Sequence, residues 1–344
     1  MSNTTTYLDT GKLEKYLSDH VKDFGKIKKI KKFPGGQSNP TFLLNTNKNK
    51  FVLRHKPLGK TLPSAHAVDR EYRVMEALKE TDVPVPKVYH LCEDEGVIGS
   101  MFLVMEFLDG RIMWNQTLPE SNPEERGIIF DEMNSVLATL HSVNLKKIGL
   151  DNYSNSKNYY SRQVHIWSKQ YRSAQTEYIK DIELVINWLT NNTPKNDGQV
   201  SLVHGDYRLD NLMFAKNQPK VIGLLDWELS TLGNPIADLA YQCAIWRMEL
   251  GTRSIGGLKG IDYKKMGIPT EKEYVETYCK RRRITGIENW IFLIICSLFR
   301  LISIIQGIKK RSLQGNASSI QAKEISKMII PLSKTTIEII EKEG

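Results

Sequence analysis

Apolar positions along the chain change their spacing near residue 109. Before that point short apolar runs dominate. Those at 42–44 and 51–54 flank a polar stretch at 45–50, which predicts a hairpin. Further strands are expected at 87–91 and 101–107. One helix interrupts them at 67–79, where Val68, Tyr72, Met75 and Leu78 recur at helical spacing. Beyond Asp109 and Gly110 helices prevail. Ile129, Met133, Val136, Leu137 and Leu140 form one stripe, and 181–189 and 290–306 read as two more helices. A late hairpin is expected from strands 212–214 and 221–225, joined by the turn residues Lys216, Asn217, Gln218 and Pro219. The pattern is that of an α+β chain, with a small sheet-rich part over 1–108 and a larger, mainly helical part over 109–344.

The most apolar stretch, 290–308, runs into Lys309, Lys310 and Arg311 and has the length of a membrane span. Arg300 sits at its centre, where a charge costs roughly 2.5–3.5 kcal/mol in a bilayer. Cys296, Arg300, Ser303 and Gly307 share one narrow face, as in the buried helix of a helical lobe. No membrane span and no secretory leader are therefore expected. Four scattered cysteines, none in a C-x-x-C pair, suit a reducing cytoplasm. The balance of 48 Lys+Arg against 39 Asp+Glu gives a net charge of +9, which favours anionic partners. Positive charge is spread along the chain without a groove-reading or base-stacking motif, so no nucleic-acid partner is expected.

Candidate chemistry concentrates in 201–228. Asn211 precedes the first strand of the late hairpin and Asp226 follows the second, so an antiparallel pairing places both at its open end. Asp206 lies five residues before Asn211. Two carboxylates and an amide on loops form a set of hard oxygen donors suited to Mg²⁺ shared with substrate phosphates.

His204, Gly205 and Asp206, followed by Asn211, resemble the H-x-D-x-x-x-x-N catalytic loop of protein-kinase-like enzymes, and Asp226 is similar to their metal-binding Asp. The glycine after His204 and the run Asp226, Trp227, Glu228 resemble the aminoglycoside phosphotransferase and choline kinase branch, which phosphorylates small-molecule hydroxyls. Gly233, Asn234 and Pro235 through Asp238, Leu239 and Ala240 continue that pattern. The resemblance implies a bilobal protein-kinase-like fold, with an N-lobe at 1–108 and a C-lobe at 109–344. It also implies ATP and Mg²⁺ as cofactors. Asp206 would orient or deprotonate the acceptor hydroxyl, and Asn211 and Asp226 would hold the metal. Arg208 either meets the γ-phosphate or forms an ion pair within the fold. The loop Gly35, Gly36, Gln37, Ser38 and Asn39 would cover the phosphates. Arg54, which replaces the usual lysine, would ground them, with Glu71 as its partner. Main-chain groups at Glu106 and Leu108 would meet adenine. His204 and Asp238 are expected as scaffold groups, and Glu228 as a further metal-side acid.

A closer likeness is carried by residues 52–57, 62–66, 70–75, 225–233, 297–301 and 315–319. These resemble the kinase-like domain that precedes acyl-CoA dehydrogenases in some mitochondrial proteins, and its free-standing bacterial cousins. That likeness implies a hydroxyacyl-CoA acceptor, notably from 4-hydroxy acids, with any acyl-CoA dehydrogenase partner supplied separately. Arg162, Lys169 and Arg172, in an aromatic segment at 159–172, are candidates for CoA phosphate contacts or for plain solvation. A non-catalytic nucleotide-binding module is the competing class, together with kinases for other small metabolites or aminoglycosides.

Overall fold

The computed structural model describes residues 8–33, 39–57, 67–195, 198–250, 256–314 and 320–344. In chain order its first elements are α1 (Thr10–His20), β1 (Ile27–Lys32), β2 (Thr41–Thr46), β3 (Lys50–His55), α2 (Val68–Leu78), β4 (Val88–Cys92), β5 (Phe102–Glu106) and β6 (Gly110–Ile112). Then come α3 (Pro123–His141), α4 (Tyr159–Ala174), α5 (Lys180–Asn191), β7 (Ser201–Val203), β8 (Leu212–Ala215), β9 (Val221–Leu224) and β10 (Thr231–Gly233). Helices close the chain: α6 (Ile236–Cys243), α7 (Tyr263–Met266), α8 (Glu271–Arg282), α9 (Trp290–Leu313), α10 (Ile320–Ser326) and α11 (Ile329–Glu343).

Contacts divide the chain into two compact units. The first comprises residues up to Arg111 with Lys146–Leu150 and Met213–Ser230; the second holds the remainder. Within the first unit five antiparallel strands are ordered β1-β2-β3-β5-β4. Alternation along β2 and β3 turns Phe42, Leu44, Phe51 and Leu53 inward. There they join Leu13 and Leu17 of α1, with Phe24, Phe102 and Val104, in one apolar core. Helix α2 buries Val68, Val74, Met75 and Leu78, and with them the carboxylate residue Glu71. Strand β1 is the outer strand beside β2, and its Lys28, Lys29, Lys31 and Lys32 are all exposed.

The β8–β9 hairpin forms as the turn signals predict, but it packs with the first unit and not with the C-lobe expected over 109–344. The physical reason is pairing: β8 lies between β6 and β9. A side chain at Gly110 would come within 2.4 Å of the Phe214 carbonyl, so only glycine permits this approach. The Leu224 N–H also donates to the Pro84 carbonyl at 2.7 Å.

The second unit is built around α9, which packs against α4, α5, α6, α10 and α11. It is the one described helix long and apolar enough to cross a membrane, and 72% of its most apolar window is buried inside the fold. Helix α3 begins with Asn122 accepting from the Glu125 N–H and with Pro123 at its first position. Such a cap contributes about 1 kcal/mol. Strand β7 pairs antiparallel with β10, Val203 opposite Thr231, and delivers the chain to His204.

Candidate active site

Each unit holds one cluster of the residues singled out in the sequence. In the first, Arg54 leaves β3 with its side chain only 11% exposed. Its Nε lies 3.1 Å from Glu71 Oε2, and its Nη2 lies 2.6 Å from Asp226 Oδ1 and 3.8 Å from Glu228 Oε2. Three carboxylates therefore surround one cation. Burial pushes the Glu71 carboxyl up to about 7; Arg54 opposes the shift, while Asp226 and Glu228 add to it. Glu71 also accepts a hydrogen bond from the main chain of Trp227. The local fold explains the convergence, because the 3-10 turn Trp227–Leu229 packs directly on α2.

Asp226 has a φ of +67°, a left-handed conformation that non-glycine residues adopt at a cost of about 1–2 kcal/mol. Fully buried Asn39 donates from Nδ2 to Glu228 Oε2 at 3.2 Å, so it acts as an anchor for that acid. The other residues of the expected phosphate-covering loop, Gly35, Gly36, Gln37 and Ser38, lie outside the described residues, as do 62–66 and 315–319. Glu106 ends β5, with its N–H and its carboxylate both bonded to the Lys87 main chain. The Leu108 side chain fills the space over Gly223.

In the second unit Asp238, buried in the first turn of α6, clamps the loop after β7. Its Oδ2 accepts the His204 N–H at 2.6 Å and its Oδ1 the Gly205 N–H at 2.9 Å. His141, at the end of α3, backs this carboxylate with Nε2 at 3.3 Å, while its Nδ1 lies 2.7 Å from the Tyr278 hydroxyl. Burial raises the Asp238 pKa, but bonds from His141 and from the loop's main chain outweigh it, and the net shift is downward. Gly205 has a φ of +82°, which suits glycine. The His204 ring accepts the Asp206 N–H at Nδ1, 3.1 Å away, which makes it a brace for the loop.

Asp206 is held from its own loop. Asn211 Nδ2 donates to Asp206 Oδ2 at 2.9 Å and to its carbonyl at 2.8 Å. Burial works against the charged carboxylate, but Arg208, Arg300 and His204 outweigh it, assisted by a hydrogen bond from Tyr241, and the carboxyl stays ionised. Because Nδ2 serves Asp206, the other atom of the Asn211 amide, Oδ1, is left as an acceptor for a cation. Arg208 forks onto Asp210, Nε to Oδ1 at 3.0 Å and Nη2 to Oδ2, which realises the ion-pair alternative.

Sequence reasoning missed three supports of this loop. Arg300 of α9 donates from Nη2 to the Gly205 carbonyl while its guanidinium lies 4.8 Å from the Trp167 ring and 4.7 Å from the Tyr241 ring. Its charge amid an apolar helix was the available signal. Tyr241 and His141 carried none. Tyr160, Val164, Trp167 and Tyr171 of α4 are buried in the core. Arg172 pairs with Glu183 at 2.8 Å, and Arg162 donates to the Lys157 carbonyl.

In the first unit Asp226 offers only carboxylate oxygens and is still about one-third exposed, which suits a hard cation such as Mg²⁺. No cluster of three or more His, Cys, Asp or Glu able to hold a metal occurs among the described residues. A divalent ion would therefore depend on phosphate and water for most of its ligands, as Mg²⁺ does.

A profile of the phosphotransferase enzyme family matches residues 29–262. Acyl-CoA dehydrogenase family member 10 of Mus musculus is 43% identical over 312 residues, which are 91% of this chain and 29% of that protein. The chain thus spans under one-third of the length of this relative. A crystal structure from Ralstonia eutropha, named after the aminoglycoside phosphotransferases, is 44% identical, covers 97% of this chain and 98% of its own, and superposes with a TM-score of 0.87. Spectinomycin phosphotransferase, solved with ADP and spectinomycin, shares the fold at a TM-score of 0.62 and 10% identity, covering 96% and 98% of the two chains.

Proposed function

The chain belongs to the phosphotransferase enzyme family and has its kinase-like α+β fold, and on that premise we propose that it transfers the γ-phosphate of ATP to the hydroxyl of a small molecule. One observation supports this reading above the others. Asp206 is kept ionised by Arg208, Arg300 and His204 and oriented by Asn211 and Tyr241, on a loop clamped by Asp238. A carboxylate fixed in this way can accept or orient a hydroxyl proton, and phosphoryl transfer depends mainly on positioning and charge stabilisation.

In this reading Arg54 binds the nucleotide phosphates and Glu71 holds Arg54. Asp226 and Asn211 are the oxygen donors to Mg²⁺, which would neutralise phosphate charge. Arg208 serves the loop through Asp210 and keeps positive potential beside Asp206. The acceptor we favour is a hydroxyacyl-CoA, above all a 4-hydroxyacyl thioester. Its support is the likeness to a protein named for acyl-CoA dehydrogenase over 91% of this chain.

The test is ATP turnover against a panel of 4-hydroxyacyl-CoA, the free hydroxy acid, choline and an aminoglycoside, with mass spectrometry to place the phosphate. Phosphate on the acyl hydroxyl is the expected result. Phosphorylation of choline or the aminoglycoside alone would reject the acyl acceptor. Nucleotide binding without transfer to any alcohol would reject the kinase assignment.

A further inference from the structure

The Arg54 cluster contains more acid than a phosphate-binding arginine needs. Glu71 alone, with Oε2 3.1 Å from Nε, can neutralise the guanidinium. Asp226 nevertheless takes Nη2 at 2.6 Å, and Glu228 waits 3.8 Å from the same nitrogen, held by Asn39. Resting on the nucleotide reading above, the two roles of the Arg54–Asp226 pair conflict. A carboxylate turned toward a divalent cation gives up much of its attraction for a guanidinium. An arginine so released, only 11% exposed and still beside buried Glu71, needs another acceptor within reach. Glu228 is the nearest one described.

We propose that Glu228 is a positioning residue for Arg54: when Asp226 engages the metal–nucleotide complex, the Nη2 end of Arg54 passes from Asp226 to Glu228, which holds the guanidinium in place for the phosphates. Asn39 keeps Glu228 ready for this exchange. Glu228 then acts on the nucleotide through Arg54 and is not itself a metal ligand, contrary to the metal-side role expected for it from the sequence.

The proposal predicts an effect opposite in sign to plain charge. Removing an acid near a polyanion strengthens binding on simple electrostatic grounds. Glu228→Gln should instead weaken MgATP binding by about fivefold, the scale of a coupled pair, while metal-free ATP in EDTA binds unchanged or more tightly. Calorimetry on the full chain measures both. In an Arg54→Met background, Glu228→Gln should no longer weaken MgATP binding. Arg54→Gln serves as the background if the methionine variant fails to fold.

A loss of MgATP affinity that persists without Arg54 would make Glu228 a metal ligand and overturn the proposal. So would an unchanged or increased MgATP affinity in the Glu228→Gln single variant. Absence of any MgATP binding by the unmodified chain would instead remove the nucleotide reading on which the proposal rests.

Discussion

Asn211 donates its side-chain amide to Asp206 at two atoms, the carboxylate oxygen at 2.9 Å and the main-chain carbonyl at 2.8 Å. The two bonds close the loop on itself, so Asp206 keeps one rotamer before any substrate arrives. Such pre-organisation matters in a reaction whose catalysis is mostly geometry.

Asp206→Asn should therefore lower the turnover number by about 10²–10⁴-fold, the usual contribution of a positioned general base. Nucleotide affinity should remain near that of the unmodified chain. Steady-state kinetics with calorimetry separates the two quantities, and wild-type turnover in the variant would end the catalytic assignment.

Arg54 and Glu71 form a buried ion pair at 3.1 Å, so their alanine variants should not add. Arg54→Ala leaves Glu71 buried and uncompensated, a cost of about 3–5 kcal/mol, whereas Glu71→Ala leaves Arg54 still paired with Asp226 and the double change removes the buried pair altogether. A double-mutant cycle on thermal stability and on MgATP affinity measures the coupling. Additive effects would show that the pair does not act as a unit.

Asp226→Ala removes a proposed metal donor and also releases Arg54. MgATP affinity should fall by at least about tenfold, or 1.4 kcal/mol, with the far-ultraviolet circular dichroism unchanged. Equal MgATP affinity in calorimetry would exclude Asp226 as a donor to the metal.

Asp238→Asn should destabilise the second unit by about 2–4 kcal/mol at neutral pH, because an amide cannot accept from both loop N–H groups and from His141. The pH dependence follows from the direction of its shift. Burial opposes ionisation but the bonds from His141 and the loop prevail, so the folded-state pKa lies below the ordinary 3.8. The carboxylate's stabilisation is then complete above that value and disappears as pH falls through the folded pKa. The stability gap between wild type and variant should be constant from pH 6 to 7 and narrow below 3.8 in denaturant melts. A gap that widens on acidification would contradict this.

Much of this was legible in the sequence because it is local. The 45–50 turn, the α2 stripe and the run from His204 to Asn211 each lie within a few residues, where periodicity and spacing act directly. The supports of the loop were not. Asp238 meets His141 across 97 positions and Arg300 meets Gly205 across 95, pairings set only by the packing of α3, α6 and α9. Arg300 was conspicuous as a charge in an apolar helix, yet nothing local names its acceptor. Glu71 is buried because the turn at Trp227 covers its face of α2, a contact that helical spacing alone does not reveal. Strand β1 escaped notice because four of its six residues are lysines, which conceal the half-buried Ile27 and Ile30.

Those lysines change the meaning of the chain's positive balance. An outer strand with unpaired peptide groups is a template onto which a second molecule could extend the sheet, and a row of ammonium groups repels an identical row. Lys28, Lys29, Lys31 and Lys32 are four positive charges in a chain whose net charge is +9. Part of the basicity that first suggested an anionic partner is thus placed where it opposes edge-to-edge pairing of two copies, a use that involves no ligand. Replacing these lysines with threonine or valine would leave both residue clusters untouched and yield a protein that self-associates along that edge.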